Sequence, residues 1–256
     1  MTAPERTYAN VVVTGASSGL GRGLAAFFVR RGSHVHAAAR RAELLESLSD
    51  ELQGAPGTLT PLVLDVSKGA ATVERLLAVD AACGGVDLVI ANAGVGEQTR
   101  GKRLKWAPFE RMLEVNVLGA AATLSALVPR MVERGRGQLV GMASLAAFIL
   151  PAKTWGYSAS KTFVHQMCRG LRMDLRGTGV TVTCLYPGFV KSEMTANNKF
   201  QMPFLLETED AVKRMGKAIV RGEEEFAFPW QLATLVGAAG LLPASAKEFL
   251  GRRAWG

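Results

Sequence analysis

The stretch VVVTGASSGLGRGLA, residues 11–25, joins an apolar β-branched run to a helical pattern through three glycines. The run up to Thr14 predicts a buried strand, and the apolar spacing that follows the turn predicts a helix. Gly15, Gly19 and Gly21 form the pattern G-x-x-x-G-x-G between them. Glycine permits a tight turn and a close backbone approach, and the free N–H groups of a helix N-terminus attract phosphate oxygens. The stretch therefore predicts a dinucleotide-binding turn; a glycine-rich turn without a ligand is the alternative.

Strand-like and helix-like segments alternate along the chain, which is typical of βαβ units. Strands in such units pair in parallel through right-handed connections, and helices cover both faces of the sheet. No Pro-rich or Ser-rich linker and no repeat interrupts the alternation. We therefore predict one α/β domain over residues 1–256, a Rossmann-like doubly wound parallel sheet. The predicted strands are Asn10–Thr14, His34–Ala39, Leu59–Asp65, Val86–Ala91, Gln138–Ala143, Val180–Tyr186 and Glu225–Phe228. The predicted helices are Gly19–Arg31, Ala42–Leu52, Ala70–Cys83, Pro108–Glu133, Thr154–Arg176 and Glu209–Arg221.

The net charge of +8 is spread over 256 residues rather than gathered in one tail. Because zinc-finger spacing and a lysine-rich tail are both missing from the sequence, we expect no nucleic-acid partner. A few of these cations suffice for an anionic small ligand. With 48% apolar and 20% charged residues, the composition is that of an ordinary folded protein.

Cysteine and histidine usage gives no sign of a metal or a disulfide framework. The cysteines have neither metal-ligand nor redox spacing, so we expect free buried thiols in a reducing compartment. They are Cys83, Cys168 and Cys184. The histidines have no cysteine or carboxylate at ligand spacing, so no metal is expected. They are His34, His36 and His165. The N-terminus lacks an apolar run and no stretch reaches the roughly 18–20 apolar residues of a membrane span, so we expect a cytoplasmic protein.

Two arginines, Arg40 and Arg41, end the sequence HAAARR, residues 36–41, at the close of the second predicted strand. A site for NAD places Asp or Glu about 20 residues past the glycines, where the acid holds the ribose 2′-hydroxyl. A guanidinium pairs with a phosphate instead. We therefore predict NADP(H), with Arg40 on the 2′-phosphate and Ser18 or Arg41 assisting. The alternative is that both arginines are solvated at the start of a helix.

Further motifs follow in a fixed order along the chain. IANAG, residues 90–94, ends the fourth strand, Asn116 lies in the long helix, and Ser144 ends the fifth strand. YSASK, residues 157–161, follows in the next helix, and YPGFV, residues 186–190, closes the sixth strand. Together with the glycine pattern, this order resembles the short-chain dehydrogenase/reductase family in its compact single-domain branch.

The resemblance covers roughly residues 9–195 and implies hydride transfer with a nicotinamide cofactor. The catalytic residues that it implies are Asn116, Ser144, Tyr157 and Lys161. Asp65 and Val66 would meet the adenine, Asn92 and Gly94 the adenosine side, and the PGFV segment the nicotinamide. Lys161 would hold the nicotinamide ribose and Asn116 a water. The cofactor-binding residues expected from the motifs and the resemblance are Gly15, Ser17, Ser18, Gly19, Leu20, Gly21, Arg40, Arg41, Asp65, Val66, Asn92, Ala93, Gly94, Tyr157, Lys161, Pro187, Gly188, Val190 and Ser192, the last where the family often has Thr.

Tyr157 and Lys161 are four residues apart and therefore share a helix face. A unit charge at about 4 Å in an effective dielectric of about 20 contributes about 4 kcal/mol, enough to lower a tyrosine pKa by roughly three. We therefore expect Lys161 to lower the pKa of Tyr157 towards the working pH, where it serves as general acid and base. Ser144 would donate a hydrogen bond to the substrate oxygen. The alternative is a half-buried tyrosine beside a solvated lysine.

The segment after YPGFV, residues 191–207, is predicted to be a substrate loop that follows a core over residues 9–190. Its apolar side chains suit a hydrophobic ketone, aldehyde or alcohol, although they could equally pack the loop down. The predicted substrate contacts are Ser144, Leu145, Phe148, Tyr157, Met194 and Phe204. Further apolar candidates are Ile149, Leu150, Phe200, Met202 and Leu205.

The last segment, residues 229–256, is unusually apolar, but its run Leu232–Leu242 is too short to span a bilayer. We favour a pocket cover or a subunit contact over a membrane contact with Arg252 and Arg253 at the headgroups. The resemblance implies a homodimer or homotetramer through the two long helices. The leading function is an NADP(H)-dependent carbonyl reductase or alcohol dehydrogenase. The alternatives are a non-catalytic NADP-binding sensor or scaffold and a membrane-peripheral lipid carbonyl reductase.

Overall fold

Seven parallel strands form one sheet in the order β3-β2-β1-β4-β5-β6-β7. The structure is a computed structural model and describes residues 5–149, 153–196 and 201–240, together with Pro243 and Ser245. The strands are β1 (Asn10–Thr14), β2 (His34–Ala39), β3 (Thr58–Val63), β4 (Leu88–Ala91), β5 (Gly137–Met142), β6 (Val180–Pro187) and β7 (Glu225–Phe228). The helices are α1 (Gly19–Val29), α2 (Ala42–Glu51), α3 (Gly69–Ala82), α4 (Trp106–Leu113), α5 (Ala120–Ser125), α6 (Val128–Glu133), α7 (Trp155–Asp174), α8 (Thr208–Arg221) and α9 (Trp230–Gly240). The predicted α/β, Rossmann-like doubly wound fold is confirmed.

Apolar side chains are buried on both faces of the sheet. Val12 belongs to one core cluster, whereas its neighbours Val11 and Val13 belong to the other. Successive strand residues point to opposite faces, so a run of valines fills both layers at once. Burying each such side chain contributes about 1.5–3 kcal/mol.

The predicted single helix over residues 108–133 is wrong in detail. A π-helical segment, Glu114–Gly119, follows α4, and the chain turns again between α5 and α6. Pro129 explains the second break, because its ring excludes an α-helical bond to the residue four positions earlier, where α5 ends. The π segment carries Asn116, which is buried, and such local widening of a helix is common at functional sites.

The stretch Trp106–Glu133 is long and apolar enough to cross a membrane by length and composition, with mean hydropathy 1.5. By length and hydropathy, this helical stretch differs from our expectation that no stretch of the sequence is long and apolar enough to span a membrane. Over half of the window, 56%, is buried inside the protein, and core helices pass the same test. Two of the three alanines of α5, Ala120 and Ala122, are buried. The predicted subunit contact through this helix stays a prediction.

The described part of the apolar C-terminal segment packs back onto the sheet. Leu232 and Val236 of α9 are buried in the core, and a Cβ added to Gly188 would lie 2.8 Å from Leu232 Cδ2. The helix therefore covers the end of β6. Trp230 and Leu235 remain exposed on its outer side. Beyond Gly240 the structure describes only Pro243 and Ser245, so Leu241, Leu242, Arg252 and Arg253 lie outside the described residues.

Candidate active site

The strand order reverses between β1 and β4, and open parallel sheets bind ligands at the carboxyl ends of strands at such a point. The structure brings the predicted site residues to this edge. The segments that carry them follow the strands in turn, at Gly15 after β1, Arg40 after β2, Asp65 after β3, Asn92 after β4, Ser144 after β5 and Gly188 after β6.

The glycine turn is held against the end of β4, with no room for a side chain at Gly15 or Gly21. Gly15 has φ +70°, and an added Cβ would lie 2.7 Å from Ala93 Cα. A Cβ on Gly21 would lie 2.2 Å from Gly15 O. Asn92 Nδ2 donates to Thr14 O at 2.9 Å and to Gly15 O at 3.3 Å, which ties the two segments together. These contacts explain why glycine is needed at both positions.

The start of α1 suits an anion. Helix α1 begins at Gly19, the preceding Ser18 makes no capping bond through its side chain, and the first turn has no acidic residue. The first N–H groups of the helix are therefore available to phosphate oxygens. Leu20 is half-buried against the core and fixes the first turn. These residues fit the pyrophosphate of a dinucleotide.

Arg41 lies over the glycine turn. Its Nη2 donates to Ser17 Oγ and Ser18 Oγ, each at 3.0 Å. The same nitrogen pairs with Glu193 Oε2 at 3.0 Å. The guanidinium and two hydroxyls therefore converge at one corner beside the turn, a combination suited to a phosphate monoester.

Arg40 is exposed and acts on a different group. Burial opposes ionisation of Asp65, but hydrogen bonds from Ser67 and the charges of Arg40 and Lys68 outweigh it and hold the pKa of Asp65 below its usual value. Arg40 therefore lies on the Asp65 side of the cleft. The adjoining Val66 is buried. The contacts favour Arg41 over Arg40 as the arginine at the turn, the reverse of the predicted emphasis.

The segment after β4 is fixed by a residue that the sequence reasoning missed. Thr14 Oγ1 accepts hydrogen bonds from the backbone N–H groups of Asn92, at 3.2 Å, and Ala93, at 3.3 Å. A Cβ on Gly94 would lie 3.4 Å from both Asn116 Oδ1 and Lys161 Nζ. Gly94 therefore lies against two of the predicted catalytic side chains. The sequence signal for this role was the position of Thr14, directly before the first glycine of the glycine pattern.

Asn116 links the β4 segment to helix α7. Its Oδ1 accepts from Val95 N at 2.8 Å, and its Nδ2 donates to Val95 O at 2.9 Å and Ser160 Oγ at 3.0 Å. Ser160 Oγ in turn donates to Tyr157 O at 2.7 Å. Both amide hydrogens are used, and one acceptor lone pair of Oδ1 remains for a water. Ser160, inside YSASK, was the second residue that the motif reading passed over.

The predicted acid–base group converges at the ends of β5 and α7. Lys161 Nζ donates to Met142 O at 2.8 Å and lies 5.7 Å from the centroid of the Tyr157 ring. Lys161 is buried and Tyr157 half-buried. Ser144 Oγ donates to Pro187 O at 3.3 Å, and the Ser144 and Tyr157 side chains share a hydrogen bond. The phenol, hydroxyl and ammonium thus share one wall of the cleft.

The expected lowering of the tyrosine pKa is not found. Burial raises the pKa of Tyr157 to about 12, and the hydrogen bond with Ser144 opposes this rise without cancelling it. Burial also lowers the pKa of Lys161 to about 8, against a smaller opposing effect of Cys184. Loss of water disfavours both charged forms, and here it exceeds the attraction that sequence spacing predicts. The phenol is therefore protonated at neutral pH.

The loop after β6 closes on itself before α8. Val190 forms a parallel bridge with Leu206. Gly188 N donates to Phe228 O at 2.8 Å, which fixes the entry to the loop against β7. Within the loop, Ser192 N donates to Thr195 Oγ1 at 2.9 Å. A Cβ on Gly19 would lie 3.5 Å from Ser192 Cβ, so the loop also borders the glycine turn.

Three of the predicted substrate contacts are exposed apolar side chains, Phe148, Met194 and Phe204. Met194 reaches the segment after β4, since a Cβ on Gly96 would lie 3.3 Å from its Cγ. Leu145 differs, because it is buried in the core. Leu150 and Phe200 lie outside the described residues.

Phe148 packs against a buried polar pair. Its ring centroid lies 5.0 Å from that of His165 and 5.1 Å from that of Tyr186. His165 Nδ1 and Tyr186 Oη are 2.8 Å apart and share a hydrogen bond. The pair supports the wall next to Ser144.

The remaining histidines and cysteines form no metal centre within the described ranges, where three or more His, Cys, Asp or Glu side chains do not gather. The rings of His34 and His36 stack with centroids 4.6 Å apart. All three cysteines are free, and Cys83 is half-buried rather than buried.

Comparison with known proteins agrees with this geometry. A family model described as short chain dehydrogenase matches residues 9–202. A protein of Myxococcus xanthus (strain DK1622) named as an uncharacterized oxidoreductase is 57% identical over 249 residues, which cover 97% of this chain and 98% of that protein. A short-chain dehydrogenase from Sphingobium yanoikuyae, solved in complex with NADPH, has TM-score 0.80 and 27% identity over 90% of this chain and 93% of that one. A short chain dehydrogenase/reductase from Burkholderia phymatum, solved with NAD, has TM-score 0.83 over 98% of both chains; at 24% identity this likeness concerns the fold alone.

The chain belongs to the short-chain dehydrogenase/reductase family and is an oxidoreductase of that family. Family membership also supports a nicotinamide cofactor.

Proposed function

We propose that this protein is an NADP(H)-dependent oxidoreductase that interconverts a hydrophobic ketone or aldehyde and the corresponding alcohol. The observation that carries the proposal is the convergence of Ser144, Tyr157 and Lys161 on one wall of a cleft whose other wall is the glycine turn. No single residue supports it as strongly as this arrangement, because each group alone has an ordinary structural explanation.

When bound, a nicotinamide cofactor would supply the hydride for carbonyl reduction and would accept it in alcohol oxidation. During reduction, negative charge grows on the carbonyl oxygen, and Tyr157 donates its proton there. The high pKa of Tyr157 keeps this proton available at neutral pH. The Ser144 hydroxyl donates a hydrogen bond to the same oxygen, as an oxyanion-stabilising group does. Alcohol oxidation uses the same two groups in reverse.

Lys161 has two proposed roles. Its ammonium lies over the Tyr157 ring and close to the position of Gly94, where it favours negative charge on the phenol oxygen and holds the nicotinamide ribose. The remaining lone pair of Asn116 Oδ1 provides an acceptor for a water that returns protons from solvent to Lys161.

The arginines support NADP(H) over NAD(H). Arg41, Ser17 and Ser18 converge beside the glycine turn, and Arg40 adds a second positive charge on the Asp65 side of the cleft. The short-chain dehydrogenase from Sphingobium yanoikuyae was solved with NADPH, but the cofactor preference proposed for this chain rests on its own arginine and serine side chains. Apolar side chains support a hydrophobic substrate. They are Phe148, Met194 and Phe204.

A test is a screen of carbonyl compounds that follows the loss of NADPH absorbance with the purified full chain. We expect turnover of apolar ketones or aldehydes, with small polar carbonyls reacting poorly. Cofactor binding without turnover across a broad panel would favour a non-catalytic sensor or scaffold. Turnover with NADH alone would refute the cofactor assignment.

A further inference from the structure

The carboxylate of Glu193 lies where the 2′-phosphate of NADP(H) is proposed to bind. Arg41 Nη2 pairs with Glu193 Oε2 at 3.0 Å, and Arg41 Nη1 approaches Oε1 at 3.4 Å. Glu193 also hydrogen-bonds Ser18, and the contacts with Arg41 and then Ser18 hold its pKa below the usual value. The carboxylate is therefore ionised and engages the same cation and hydroxyl that a phosphate would use.

We propose that Glu193 is an internal competitor of the cofactor 2′-phosphate and sets how strongly this chain prefers NADP(H) to NAD(H). The inference rests on the proposed function, because it takes the corner of Arg41 and Ser18 as the 2′-phosphate site. A carboxylate and a phosphate cannot both occupy that corner, since both are anions that need the same donors. NAD(H), which carries a hydroxyl instead, has no anion to exchange for Glu193 at this corner.

Hydrogen bonds fix the backbone at Glu193, so its carboxylate is positioned close to Arg41. Ser192 N donates to Thr195 Oγ1 at 2.9 Å, and Thr195 Oγ1 donates to Val190 O at 2.7 Å. These bonds close a tight turn on which Glu193 is carried. With the backbone fixed, the side-chain rotamer of Glu193 alone decides whether its carboxylate reaches Arg41.

Exposure makes the competition reversible. The Arg41 and Glu193 side chains are 42% and 63% exposed, and exposed ion pairs contribute only about 0.2–1 kcal/mol. A phosphate with nearly two negative charges can displace such a carboxylate. Glu193 also borders an open cavity of about 480 Å³ with Arg22, Ser47 and Thr208, which offers the released side chain a solvated position.

The same loop offers a matched control. Lys191 and Glu207 form an ion pair at its base, with side chains 58% and 61% exposed. Glu207→Gln removes the same charge as Glu193→Gln from the same loop, but from a pair that does not involve Arg41 or Ser18. A comparison of the two variants separates competition at the corner from a general change in charge.

The experiment measures dissociation constants of NADPH and NADH for the full chain by titration of cofactor fluorescence. We expect Glu193→Gln to bind NADPH up to about fivefold more tightly, which corresponds to loss of one exposed ion pair, with NADH unchanged. Glu207→Gln should leave both constants unchanged. In an Arg41→Ala background the effect of Glu193→Gln should disappear, because the pair is already broken.

An unchanged NADPH constant in Glu193→Gln would overturn the inference, as would equal tightening of NADPH and NADH or the same gain in the Arg41→Ala background. The Arg41→Ala and Arg40→Ala variants test the proposed function separately. If neither weakens NADPH binding, the NADP(H) assignment itself fails. If Arg41→Ala weakens NADPH binding while Glu193→Gln changes nothing, the assignment stands and only the competitor role is wrong.

Discussion

The two walls of the cleft differ in how they hold charge. At the catalytic wall, Lys161 is 4% exposed and Asn116 1%, and both side chains donate hydrogen bonds to backbone carbonyls. At the phosphate corner, the side chains of Arg41 and Glu193 are 42% and 63% exposed and bond each other. Buried polar groups lose much when a partner is removed, whereas exposed pairs are screened and contribute little.

This difference assigns different tasks to the two walls. A buried ammonium beside a half-buried phenol keeps a fixed position, which suits proton transfer to one developing charge. An exposed arginine with a replaceable partner suits selection between two cofactors that differ by one phosphate. We therefore expect substitutions at the catalytic wall to change rates by orders of magnitude and those at the corner to change ratios by smaller factors.

The largest effect is expected from Tyr157→Phe, which tests whether Tyr157 at the catalytic wall transfers the proton. Loss of the proton donor should lower kcat by about 10²–10⁴-fold, while the NADPH dissociation constant stays nearly the same. Steady-state kinetics and fluorescence titration measure the two. Tyr8→Phe is the control, since Tyr8 Oη bonds Gln138 and Ile219 O at the other end of the sheet. Near-full activity of Tyr157→Phe would refute the acid–base assignment.

Lys161→Met should weaken both turnover and cofactor affinity. The variant loses the ammonium over Tyr157 and leaves Met142 O without its donor, which costs about 1–3 kcal/mol of stability. Kinetics, cofactor titration and thermal unfolding check the three effects. Lys217→Met, at an exposed position on α8, should change none of them. If only kcat or only affinity changes, the double role of Lys161 is wrong.

The pH profile tests the catalytic wall, because Lys161 there has a pKa of about 8. Burial lowers the pKa of Lys161 to about 8, so the ammonium is present below that pH and lost above it. Tyr157 stays protonated throughout, since its pKa is raised to about 12. Carbonyl reduction should therefore be flat below about pH 8 and decline above it. A decline that persists unchanged in Lys161→Met would assign it to another group.

The main residues of both walls were predicted from the sequence, because the glycine turn and YSASK each need fixed residue types at fixed spacing. The strand ends were placed within two residues, as for β3, predicted as Leu59–Asp65 and found as Thr58–Val63. The pairing of Arg41 with Glu193 was out of reach, since 152 residues separate them in sequence. The direction of the Tyr157 pKa shift was also out of reach, because desolvation depends on side chains that only the folded chain assembles.

The smallest effect is expected from Arg40→Asp, at the exposed arginine on the Asp65 side of the cleft. A negative charge there should repel the 2′-phosphate and lower the ratio of kcat/KM for NADPH over NADH by about threefold to tenfold. Arg41→Asp should lower it further, because Arg41 rather than Arg40 contacts Ser17 and Ser18. Arg31→Asp, at an arginine paired with Glu5, is the control and should leave the ratio unchanged.

Because both effects are charge effects in water, they should shrink as ionic strength rises. If Arg40→Asp leaves the ratio of kcat/KM for NADPH over NADH unchanged, Arg40 has no part in selecting the 2′-phosphate and Arg41 remains the proposed contact. If the change in this ratio does not shrink as salt is added, the phosphate site is buried once the cofactor binds.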